Sequence, residues 1–144
     1  MAKVYLDSCM IIGLIEGDLT QQHSLKTHLL KHRIYSSELA RLETRLLAIR
    51  TNNQESLIQF DRFFMACEII PLDRIVFEQA IVLRANSALK TPDALHLAVA
   101  LQAGCDEFWT NDKQLGTIAS QHLKVRDWAA LDTLVIGVSD DKNA

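Results

Sequence analysis

Lys3-Val4-Tyr5-Leu6-Asp7 is a short apolar run that stops abruptly on an acid. Its three central residues are all apolar, so the strand predicted here is covered on both faces, as in a parallel sheet. Residues 33–36, 68–72, 107–110 and 124–126 read as further short strands. Pro71 ends the pairing of the third or confines it to an edge. Helical stretches fall between them, at 8–16 and about 19–31. A third follows Ser37, whose hydroxyl can cap it with Glu38 in the first turn. Its Leu39, Leu42, Leu46 and Ile49 recur at spacings of three and four, which predicts a stripe facing a core.

Asn52-Asn53 marks a break before a fourth helix, with Leu57, Phe60 and Phe64 inward, and Asp73 can cap a fifth running to about Leu89. The clearest helix start is Thr91-Pro92-Asp93: a hydroxyl cap, then proline, then an acid. That helix stops at Gly104, and Asn111-Asp112 turns into a short last one. Alternating strands and helices imply an α/β fold, a three-layer α/β/α sandwich around a parallel sheet of four to five strands. One domain is expected over residues 1–138, with a disordered polar tail at 139–144. The apolar residues 134–138 suit a late strand, a packing segment or an interface.

A chain of 144 residues, 49% hydrophobic and 23% charged, supports one core and excludes collagen-like and strongly disordered classes. Lys and Arg number 15 against 18 Asp and Glu; the net charge of −3 argues against nonspecific coating of DNA. A local basic region remains, since positions 21–50 hold six Lys/Arg against two Asp/Glu. No apolar run approaches the roughly 18 residues that cross a bilayer, and no signal-peptide pattern is present, so the expectation is a cytoplasmic protein without membrane attachment. Cys9, Cys67 and Cys105 are odd in number and widely spaced, which predicts reduced, small core residues. His23, His28 and His32 read as surface residues of a helix, and Trp109 and Trp128 as core.

The acids carry the chemical argument. Asp7 ends the first strand, Asp112 follows the strand ending at Thr110, Asp93 lies in the first turn of a helix, and Glu43 lies deeper in another. Ligands of open parallel sheets bind outside the carboxyl ends of the strands, where Asp7, Asp93 and Asp112 should converge. Clustered carboxylates repel, and a hard divalent cation relieves that repulsion while activating water and stabilising charge on phosphorus. Taken singly, each acid also has an ordinary role. Asp93 suits a helix dipole, Asp112 a turn or cap, and Glu43 a surface pair with Arg41 or Arg45. Asp7, ending a buried strand, is the hardest to explain that way.

The words Val4-Tyr5-Leu6-Asp7-Ser8, 37–43 (SELARLE), 89–98 (LKTPDALHLA) and Phe108-Trp109-Thr110-Asn111-Asp112 occur in an order and spacing that resemble the PIN-domain nucleases. The likeness is greatest to the small VapC-like toxins of type II toxin–antitoxin pairs. It implies an acidic metal site of Asp7, Glu43, Asp93 and Asp112. Asp7, Asp93 and Asp112 would hold magnesium or manganese, Glu43 would orient or deprotonate water, and Ser8 and Thr110 would support them. Cys9 stands where such proteins often carry Asn or Ser, which puts one polar contact in doubt. Further implications are an endoribonuclease acting on RNA phosphodiester bonds, a VapB-like antitoxin partner and a homodimer. Arg41 and Arg45 are candidate contacts for RNA or partner. His96 falls where a packed, hydrogen-bonded histidine is expected in preference to a general base. The alternatives are an α/β phosphohydrolase with Asp7 as nucleophile, against which Cys9 counts, and a non-catalytic PIN-like RNA-binding module.

Overall fold

Residues 1–131 are described by the structure, a computed structural model. In chain order the elements are β1 (Lys3–Leu6), α1 (Ser8–Glu16), α2 (Leu19–Leu29), β2 (Arg33–Ser37), α3 (Glu38–Arg50), α4 (Gln54–Ala66), β3 (Glu68–Ile70), α5 (Arg74–Ala85), α6 (Thr91–Gln102), β4 (Glu107–Trp109), α7 (Lys113–Ala119) and β5 (Lys124–Arg126). Side-chain caps start several helices where short polar residues stand. Asp7 accepts from the Met10 amide, Ser37 from Ala40, Asp73 from Val76 and Asp112 from Leu115. Gly104, at φ +70°, supplies the left-handed turn after α6 that a side chain would resist.

All strand pairs are parallel, in the order β3-β2-β1-β4-β5. The chain winds outward from β1 to β3, then returns through α5 and α6 to place β4 on the other side of β1. That reversal is a topological switch point, and the crevice it leaves opens at the carboxyl ends of β1 and β4. Residues of β1 alternate between two cores. Tyr5 joins Tyr35 and Phe108 beneath α5, α6 and α7, whereas Val4 and Leu6 join Trp109 beneath α1 and α4. This is the three-layer α/β/α sandwich expected, with five strands.

Several local expectations need correction. The stripe of α3 meets the core only at Leu39: Leu42, Leu46 and Ile49 are 58%, 39% and 57% exposed, and Ala40, Thr44 and Ala48 are the buried positions. Small residues four apart let α3 approach α1 and α4 closely, and the larger ones stay outside that contact. Thr91 is not a cap, because α6 begins one residue earlier. Lys90 is the capping position, without a side-chain bond, and Thr91 Oγ1 accepts from Arg84 at 2.9 Å. The fifth helix ends at Ala85 and not near Leu89, where Ser87 turns the chain by bonding Leu83 O and Leu89 N.

His28 is not a surface residue, and His32 is half-buried just beyond α2. His28 is buried with Nε2 3.0 Å from Leu131 O, and both rings meet the edge or face of Trp109 near the end of α2. The segment 134–138 and the tail 139–144 lie outside the described residues. Among the described residues no helix is long and apolar enough to cross a membrane.

One buried ion pair ties the far edge of the sheet together. Glu107, at the start of β4, accepts from Trp109 Nε1 at 3.1 Å and from Arg126 Nε on β5. Burial pushes the Glu107 carboxyl up, but these two donors outweigh it and hold the group below its usual range. Its stabilisation is therefore present above the ordinary carboxylate pKa and is lost as pH falls through the lower, folded value. Arg126→Met should destabilise by about 3 kcal/mol at neutral pH, since it strands a buried charge. The loss should shrink in acid once Glu107 is protonated. Urea melts at the two pH values check this, and a loss independent of pH would contradict it.

Candidate active site at the carboxyl end of the sheet

Asp7 stands one residue past β1, and its amide hydrogen-bonds Trp109 O at 3.3 Å, which fixes it beside the end of β4. It is 4% exposed. Both carboxylate oxygens have donors: Oδ1 accepts from the Cys9 thiol at 2.9 Å and the Met10 amide at 3.1 Å, and Oδ2 accepts from the Thr110 hydroxyl. Burial raises the Asp7 carboxyl above its ordinary value, against the lowering effect of Cys9, Thr110, His96 and Met10. The contact left in doubt at Cys9 is thus made by sulfur. Burial and the neighbouring Asp7 push this thiol up to about 12, so it stays protonated and donates.

Thr110 does two jobs at the end of β4. Its hydroxyl donates to Asp7 and accepts from the Asp112 amide at 3.1 Å. Asp112 is exposed and caps α7, with Oδ1 2.9 Å from the Leu115 amide. Asp93, half-buried in the first turn of α6, is raised by burial and by the negative charges of Asp112, Asp7 and Glu43, with His96 opposing. One carboxyl therefore senses all three other acids, so the four form a single electrostatic neighbourhood.

Glu43 reaches this neighbourhood from α3. Its Oε1 lies 2.6 Å from His96 Nε2 in α6, and His96 Nδ1 lies 2.7 Å from the buried Tyr5 hydroxyl. Burial raises Glu43, yet His96, with a smaller contribution from Ser8, leaves it below the usual range. The ordinary alternative for Glu43, a surface pair with Arg41 or Arg45, is not what the structure shows. Arg45 instead binds Asp61 of α4, and Arg41 approaches Glu38 at 3.9 Å. Two contributors are not evident from the motifs: Cys9, which stands as a departure, and Tyr5, which reads as an ordinary strand residue. The position of Tyr5 two before Asp7, on the same side of the strand, is the signal for it.

Hard oxygen donors that repel one another are the donor set that magnesium or manganese prefers. Among the described residues no three His, Cys, Asp or Glu side chains already close on a metal-sized point. Such a set fits an ion that keeps several waters and takes few carboxylates directly.

The fold and the motifs have relatives. The TM-score to VapBC2 from Rickettsia felis, bound to a DNA fragment from its promoter, is 0.71 at 17% identity, covering 88% of this chain and 98% of that one. FitAcB from Neisseria gonorrhoeae gives 0.69 at 18% identity, covering 88% and 98%. VapC20 from Mycobacterium tuberculosis, a toxin that cleaves the sarcin–ricin loop, gives 0.65 at 15% identity, covering 79% and 93%. At these identities the likeness is one of fold. No curated protein sequence matches. The PIN domain profile matches residues 4–120, most of the chain and all four acids, and the protein belongs to the PIN domain family.

Proposed function

We propose that this chain is a divalent-metal-dependent endoribonuclease, the toxin half of a VapBC-type pair, acting in the cytoplasm. The observation that carries this reading is that the Thr110 hydroxyl joins Asp7 to the Asp112 amide at the ends of β1 and β4, while Asp93 nearby is raised by burial and then by Asp112, Asp7 and Glu43, with His96 opposing. Four acids from separated stretches of chain share one field there. Asp7, Asp93 and Asp112 would hold magnesium or manganese, directly or through water. The bound ion would lower the pKa of a water and stabilise charge on the transferring phosphorus.

The protein's own part is positional. Thr110, Cys9 and the Met10 amide fix Asp7, the α7 cap fixes Asp112, and Glu43 is placed to orient the attacking water or take its proton. The same contacts weigh against Asp7 as a nucleophile, since a carboxylate already accepting three hydrogen bonds is poorly disposed to attack. Arg41, on the outer part of α3, is the better of the two arginines for an RNA phosphate or an acidic partner, because Asp61 already engages Arg45.

An open groove between α1, α2 and α4 suits a VapB-like antitoxin segment. Leu14, Ile15, Leu29 and Phe63 line it, with Lys26 and Arg62 beside them, so an amphipathic partner carrying acids would match it in both hydrophobicity and charge. The exposed apolar stripe of α3 supports a homodimer in which a second copy covers it.

Cleavage of total RNA should occur with magnesium or manganese and stop with chelator. Asp7→Asn or Asp93→Asn should lower the rate by at least about 100-fold, since even outer partners of metal ligands are commonly worth about 10- to 100-fold. Full activity in either variant would contradict the assignment.

Thermal stability gives a separate check. A folded pKa raised above the unfolded one means that ionised Asp93 costs stability above that value, and the cost fades as pH falls to the unfolded pKa. Metal-free Asp93→Asn should therefore melt higher than wild type by a few degrees at neutral pH, despite losing a favourable helix-dipole charge, and the gap should close in acid. A lower melting temperature at neutral pH would count against the crowding of acids. Sedimentation at micromolar concentration should give a dimer that Leu46→Glu splits, and a wild-type monomer would remove the proposed interface.

A further inference from the structure

His96 is 3% exposed and bonded on both sides of its ring. On one side lies Glu43, on the other the Tyr5 hydroxyl, which is in turn 2.8 Å from Ser37 Oγ. Ser37 Oγ already accepts from the Ala40 amide at 3.1 Å. The string therefore joins the end of β2, the middle of β1, α6 and α3, and three of its four members are buried.

Donors and acceptors along it fit in one order. Ser37 accepts from Ala40 and donates its own hydrogen to Tyr5. Tyr5 donates to His96 Nδ1, and His96 donates from Nε2 to an ionised Glu43. Every hydrogen then has an acceptor with a neutral imidazole. The reverse order makes Tyr5 donate to Ser37, and the Ser37 hydrogen then has no acceptor among the described contacts.

We propose that the Ser37–Tyr5–His96 string is a positioning device for Glu43, setting the imidazole as the Nε2–H tautomer and pinning one oxygen of the Glu43 carboxylate beside the acidic rim. This rests on the nuclease reading above. Tyr5, Ser37 and His96 are then positioning residues that touch no substrate, and they hold a long, otherwise mobile side chain in place before RNA arrives. The device sits in the rigid centre of the sheet and not on a loop. Tyr5 stacks on Phe108 with ring centroids 5.3 Å apart and planes 7° from parallel, so the hydroxyl at the head of the string is fixed by packing.

The test begins with the metal-free protein. A ¹⁵N spectrum of the histidine side chains, with His96 assigned by its loss in His96→Gln, should show the Nε2–H tautomer in the wild type. Tyr5→Phe keeps the ring stack and removes the hydroxyl, and should convert His96 to a mixture of tautomers. In magnesium, Tyr5→Phe should lower kcat by about 10-fold with KM for RNA within about 2-fold, the pattern of a lost positioning contact and not of lost binding. His96→Gln, whose amide can stand in for the Nε2–H donor, should keep more activity than His96→Leu.

A wild-type His96 protonated at Nδ1, or a Tyr5→Phe protein with unchanged tautomer and kcat, would overturn the proposal. Equal losses in His96→Gln and His96→Leu would also count against it. Absence of cleavage by a wild type showing the expected tautomer would instead overturn the nuclease reading, and with it the purpose assigned to the string. The wild-type reading needs only one folded His96 variant, since loss of the signal in either His96→Gln or His96→Leu assigns it.

Discussion

Mutual repulsion among carboxylates is the constraint on which the rest of this structure turns. A parallel sheet that reverses its winding leaves a crevice at the carboxyl ends of β1 and β4, and in this chain Asp7 and Asp112 stand just past those strands with Asp93 in the first turn of α6. Folding accounts for part of that choice, since Asp7 and Asp112 also cap α1 and α7. A buried carboxylate costs free energy unless donors meet it, and neighbours of its own sign add to the cost. The surrounding contacts answer the first difficulty and leave the second. Asp7 has donors on both oxygens, Glu43 has His96 and Asp112 has the Leu115 amide, yet Asp93 stays raised, by burial first and then by the other three acids. Crowding of this kind is what the cation of the proposed site would relieve.

Much of this was legible in the sequence because the signals were local. A strand ending on Asp7, a hydroxyl cap at Ser37, a proline and acid opening the sixth helix, and Asn111-Asp112 before the last one each depend on a few neighbouring residues. All five strands were placed within two residues of their ends. Because the sheet is parallel, strand ends and helix starts gather at one rim without further information. The position of the acids thus followed from the type of fold.

What escaped depends on what lies across the gap. Periodicity in α3 announces an apolar stripe, but it cannot say which face meets another helix. Ala40, Thr44 and Ala48 win the core because they permit close approach, and Leu42, Leu46 and Ile49 are left outward. His28 and His32 sit in a polar-looking stretch, and contacts across the fold, the Trp109 ring for both and Leu131 O for His28, leave His28 buried and His32 half-buried. Tyr5 reads as one more strand hydrophobe until His96, 91 residues away, arrives at its hydroxyl. Cys9 looked like the loss of a polar contact. The thiol keeps that contact, because its burial and the Asp7 carboxylate beside it hold the sulfur protonated.

The claim beneath all of this is that acids from distant stretches share one cation. Crystals soaked in manganese test it most directly, through anomalous scattering at the manganese edge. The account expects a peak at the rim, within direct or water-bridged reach of Asp7, Asp93 and Asp112. A rim free of manganese at saturating concentration, or an ion bound by none of these three, would contradict it.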